Sequence, residues 1–464
     1  MRPLFPLTGC QIRGALAVLT LVASVACVSH SENSATYGPL PTPTPQPGSN
    51  PWTAPQLLES SASMNAADPS IAVDAHGTAL ATWSQTTGSR VASMVNRFTV
   101  GSGWSGEGLL ESKTGDATQQ KIAMNDDGLA TVVWTRGITG IRRIESFRYI
   151  PSVGFDGHVD PISDGTQDAR HPNVALDPSG NALATWTQFD GTRDHVWACS
   201  YTPSGGWGIP LQVDMAVGEE AFASALAVDP NGDAVVVWQQ TPDLAKGPYS
   251  IWACDYLLGQ GWSNPRCIQY GNGNAGNPAV AINALGAQAV WSETTDGGAT
   301  YRIFGSRYTT ASGVWSAPVA LSSSQAYSDW PSVAMDQSGN IIVAWSQEVA
   351  ANSYCVAVTR YTSGSGWQDP RTFSLGEADS GVPVVSMNAS GTAAVLWNHL
   401  YGQNLDICGV RYMGGWEPTY LVSESSAGKA YSPVVAVGAS GRIMAAWTQQ
   451  DAAQVYHVWG SSSW

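Results

Sequence analysis

Through most of its length the chain alternates small or β-branched residues with polar ones, and Gly, Pro, Asn and Asp cut the alternation at regular intervals. Residues 172–189, PNVALDPSGNALATWTQF, show the pattern. Period-two alternation between turn residues predicts short β-strands. No segment carries a helical period. A tryptophan closes one of these stretches at Trp83, Trp134, Trp186, Trp238, Trp291, Trp345, Trp397 and Trp447, at intervals of 50 to 54 residues. A glycine stands six positions before each of them, or five at Gly286. The spacing is a repeat, present eight times.

Each unit reads as four strands. The first leaves a proline and runs to an Asp-x-x-Gly turn, as in 331–339, where the acid caps and the glycine takes the left-handed position. The second carries the tryptophan, often with Gln two residues on and therefore on the same face. The third ends in an Arg-Tyr-like pair such as Arg307-Tyr308, and the fourth opens with Gly-Trp or a variant of it, as at Trp207 and Trp262. Four-stranded units of about 50 residues, repeated, are the pattern of a β-propeller. The eighth unit stops after its third strand, and residues 51–58 (PWTAPQLL) match the fourth strand of unit five, residues 314–321. The expectation is an all-β, eight-bladed propeller over 51–464, its ring closed by the N-terminal strand.

Composition narrows the function classes. Charged residues make up 12% and the net charge is −15, which argues against a nucleic-acid surface. The N-terminus carries Arg2 and Arg13, then an uncharged run from Ala15 to Ala26 that is too short to span a bilayer but suits an export signal. The run ends Ser24-Val25-Ala26-Cys27, which resembles the lipobox of bacterial lipoproteins, with Ser24 where that motif usually has leucine. The resemblance implies a signal peptide over 1–26 and a lipidated Cys27. Val28 in place of an aspartate points to the outer membrane in a Gram-negative host. Residues 27–50, proline-rich toward their end, read as a stiff tether. A monomer held to the membrane by Cys27 alone is expected, with a glycan or an envelope protein as partner.

Candidate chemistry is sought where the units differ. Trp330 lies between units five and six beside Tyr327 and Asp329, the residue types that stack on a sugar ring and hydrogen-bond it. The same inter-unit loops carry acids at Asp116, Asp168, Glu220 and Asp379, with Asn65 and Asn274 in two more units. Set on a ring, they would gather negative potential at its opening; the competing reading is turn capping. Unit three is richest, with Asp168, Arg170 and His171 before its first strand and Asp190, Arg193, Asp194 and His195 after its second. No nucleophile elbow or zinc-protease motif is present, and no metal or cofactor is expected. The sialidase Asp-box spacing and the Arg-Ile-Pro signature are absent. Cys254 and Cys267 flank a hairpin turn and leave a disulfide open. The expected function is non-catalytic binding of a glycan or protein. The alternatives are a glycan-active hydrolase or lyase built on the unit-three cluster, or an envelope scaffold.

Overall fold

The computed structural model describes residues 50–464, apart from segments at 62–63, 112, 139, 216–218, 243–246, 295–299, 325, 351–352, 375–379, 402–403 and 424–427. The expected signal peptide, Cys27 and the tether up to residue 49 lie outside the described residues, as does Asp379.

The described residues form strands and turns with no helix, and the strands make eight antiparallel sheets. Each sheet follows chain order, as in blade 3, where Ala169–Leu176, Ala182–Phe189 and Asp194–Thr202 pair in turn. Its fourth position is filled by two short pieces, Gly206–Trp207 and Leu211–Gln212. The first strands of successive blades are neighbours all the way round, blade 8 against blade 1 included. They therefore line the central opening.

The ring closes as the repeat arithmetic requires. Gln56 and Leu57 pair with Gly460 and Trp459, completing blade 8, and Trp52 bridges Ser463. Leu58 is buried among Val73 and Trp83 of blade 1 and Met444 and Val458 of blade 8. One strand thus satisfies an exposed edge and fills an inter-blade core.

All eight second-strand tryptophans are fully buried. Six satisfy the indole N–H on the side chain two residues later: Gln85, Gln188, Gln240, Glu293, Gln347 and Gln449, at 2.8 to 3.2 Å. In blades 2 and 7 that place is taken by Arg136 and His399, and the indole nitrogens of Trp134 and Trp397 have no partner. Arg136 is itself buried between Glu111 (2.5 Å) and Glu145 (2.6 Å), a charged exception at the junction of blades 1 and 2.

The possible disulfide does not form. Cys267 pairs in register with Trp252, two residues short of Cys254, and the Cys254 thiol instead donates to the Ser263 carbonyl at 3.0 Å. All five cysteines among the described residues are free.

Candidate functional site

The loops between blades, the starts of the first strands and the turns between second and third strands share one face. On that face the first strand of seven blades carries a β-bulge, each at the same place in the register. One residue in each bulge has a left-handed backbone: Asp68, Gln119, His171, Ala223, Asn277, Trp330 and Ser432, with φ between 50° and 58°. Blade 7, with its first strand shortened to Val384–Met387, shows none among the described residues. Glycine would adopt this conformation freely, yet none of the seven is glycine. Non-glycine residues in this region cost about 1–2 kcal/mol each. The repeat keeps the strained backbone and changes the side chain from blade to blade.

This crown corrects the placement of Trp330. It lies inside the first strand of blade 6 (Ser328–Met335), at the bulge, and is 40% exposed. Its two companions are occupied internally. Asp329 accepts from Asn277 Nδ2 (2.9 Å), from the Trp330 amide (2.7 Å) and from the Tyr327 hydroxyl (3.1 Å). Burial and the Asp329 charge raise the Tyr327 phenol well above its ordinary value. Trp330 remains as the member of the trio that faces solvent.

The acidic loop residues do not form an open ring of negative charge. Asp116 accepts from the Val91 amide (2.8 Å), Asp168 from Arg142 (3.1 Å) and Glu220 from Asp194 (2.7 Å). Asn274 and Asn65 do the same for Tyr249 (2.9 Å) and Tyr456 (3.0 Å). Each amide lies at the start of the third strand of the preceding blade. These side chains cap a strand across the blade junction, which is the turn-chemistry reading.

The unit-three cluster separates into two parts. His195 is buried, with Nδ1 2.9 Å from Asp214 and Nε2 3.3 Å from Asp190. The Asp214 hydrogen bond outweighs lost hydration and raises the imidazole above its ordinary value. Blade 8 repeats the arrangement with His457 between Glu59 and Asp451. A device used twice, away from the opening, belongs to blade packing.

His171 is different. It lines an open pocket of about 430 Å³ with Arg170, Thr187, Asp194, Phe222 and Ala223, between blades 3 and 4. Its amide donates to Gln119 Oε1 (2.9 Å), and its exposed ring makes no hydrogen bond among the described residues. Loss of hydration within the pocket, followed by the charges of Arg170 and Arg142, lowers its pKa. The ring is therefore neutral at neutral pH. Arg170 pairs with Asp194 and lies 3.4 Å from Asp168. Burial works against the charge on Asp168, but Arg142 overrides it and holds the carboxyl below the usual range. Asp194 Oδ1 is buried without a partner. No group of three or more side chains suited to a metal occurs among the described residues.

The sequence reading named His171 and Trp330 but missed what they share. The available signal was that each stands immediately before a proline (Pro172, Pro331), as do Asp68, Asn277 and Ser432 in their own units. Phe222, which the sequence reading did not single out, also lines the pocket.

No known protein family matches the chain, and no curated relative does. Solved structures match over most of it. A polysaccharide lyase described as a PL25 ulvan lyase aligns at 8% identity, with 81% of this chain and 96% of that one covered and a TM-score of 0.50. The polysaccharide lyase Uly1 aligns at 10% identity, 85% and 89% coverage and a TM-score of 0.49. A protein of unknown function from Dyadobacter fermentans aligns at 11% identity, 89% and 98% coverage and a TM-score of 0.44. At 8% identity the likeness to the PL25 ulvan lyase speaks for the propeller fold alone.

Proposed function

We propose that the protein is a glycan-active enzyme, a lyase acting on uronate-bearing polysaccharides at the pocket between blades 3 and 4. One observation carries this: an exposed, neutral imidazole, His171, beside an arginine in an open pocket on the opening face. Two-carboxylate glycoside hydrolysis needs one carboxyl kept protonated as the acid. Asp168 and Asp190 are instead held ionised, and Asp194 is paired with Arg170. A neutral imidazole suits proton abstraction. The base removes the proton α to the uronate carboxylate, the C–O bond β to it breaks, and the departing oxygen takes up a proton. Arg170 in the pocket, and Arg142 close enough for its charge to act on His171, supply positive charge for the carboxylate as negative charge builds on it. That polysaccharide lyases are among the solved structures sharing this fold agrees with the reading without carrying it. The expected anchor at Cys27 would hold the enzyme at the cell envelope.

The test is turnover of alginate, polygalacturonate and chondroitin sulfate, followed by the ultraviolet absorbance of the unsaturated product. The wild type should generate it, and His171→Ala should lose at least about 100-fold in rate with an unchanged melting temperature. New reducing ends without absorbance would mean hydrolysis. Polymer retention without either product would return the protein to a binding module.

A further inference from the structure

The opening face carries more than the pocket. Aromatic rings continue from it around the ring of blades. Phe222, in the pocket wall, packs edge-on against Tyr249 at 6.0 Å between centroids. Further round, Tyr327 packs edge-on between Tyr301 (5.7 Å) and Tyr354 (6.4 Å). Tyr301 and Tyr354 lie at the starts of the third strands of blades 5 and 6, and Tyr249 immediately precedes that of blade 4, on the face that holds the crown. All of these rings are half-buried. The arc ends at Trp330, exposed on a strained backbone, with its indole N–H unbonded among the described residues.

On the reading of the pocket as a saccharide site, we propose that these aromatics form a track for a polymer. A polysaccharide chain several sugars long enters the pocket at blades 3 and 4, runs over blades 4 to 6, and stacks on Trp330 at its far end. The physical reason is area and shape. Sugar rings present flat C–H faces, and an exposed indole gives such a face a large apolar partner with an unused N–H at its edge. Trp330 stands three blades along the ring from His171, on the first strand of blade 6. The enzyme would therefore cut within chains, and Trp330 would act as a binding residue three blades from the reacting bond.

Binding and turnover test this separately. The purified full-length protein is run through gels containing alginate or polygalacturonate, and turnover is measured on the same polymers and on their trisaccharides. The wild type should be retarded, and Trp330→Ala should run free or nearly so. Its KM for polymer should rise about tenfold, and its KM for the trisaccharide by less. Trp330→Phe should restore most of the retardation, which a general folding defect would not allow. Equal retardation of wild type and Trp330→Ala overturns the track, as does an absence of retardation in both polymers. Retardation of an inactive wild type keeps the track and removes the lyase reading. A retarded but inactive His171→Ala supports both.

Discussion

Seven side chains stand on a backbone conformation that favours glycine, and the strain they carry is a measurable quantity. Ala223 is the simplest case, because its side chain is a single exposed methyl group in the pocket wall. Ala223→Gly should raise stability by about 1 kcal/mol in urea denaturation; a loss of stability would mean that the crown is relaxed. At His171 and Trp330 the same strain holds the ring proposed to act on a saccharide. His171 also predicts a pH profile. Its pKa is lowered from the ordinary 6.5, so the base form predominates at neutral pH. The rate should hold on the alkaline side and fall on an acid limb below that value. A limb above it would assign the proton transfer to another group. The two rings were legible as the odd residues of a regular repeat. Their common backbone was not, because a bulge is a property of strand pairing, and the proline after each residue only hints at it.

At the scale of strands and blades, one position in the repeat can either cap or bind. Acids at blade starts could either gather a field at the opening or cap a turn, and the structure uses them on the amides of the preceding blade. The reason is that an N–H at the start of a strand, where no neighbouring strand reaches it, takes the nearest acceptor, and the adjacent carboxylate supplies one. Buried charge follows the same logic. Arg136→Ala would leave the buried Glu111 and Glu145 to the partly exposed Arg90 and Arg143, and should cost about 3–5 kcal/mol by denaturant titration. A cost below about 1 kcal/mol would show that water replaces the guanidinium. His195 gives this scale a pH signature. Its folded-state pKa is raised above 6.5, so protonation stabilises the fold fully below that value. The contribution is lost as pH climbs through the raised value. The melting-temperature gap between wild type and His195→Gln should therefore close on the alkaline side. A gap that widens there would reverse the assignment.

For the whole molecule, the ring depends on its seam. Leu58→Ala opens a cavity between the first and last blades and should destabilise by about 2–5 kcal/mol. An equal substitution at the exposed Leu57 should be nearly silent, and comparable losses at both positions would argue against a closed seam. Eight tryptophans, their spacing and the matching terminal strand were enough to determine blade number, strand order and closure. Each of those features is local pattern repeated, and a β-propeller is local pattern with a closure condition. Only the tertiary structure decided which loop residues face the opening and which are consumed at blade junctions. It also set the pocket between blades 3 and 4 and the arc of rings leading to Trp330. Those depend on distances between residues about fifty positions apart, brought together when the sheets pack about 10 Å from one another, and no pattern within a single unit encodes them.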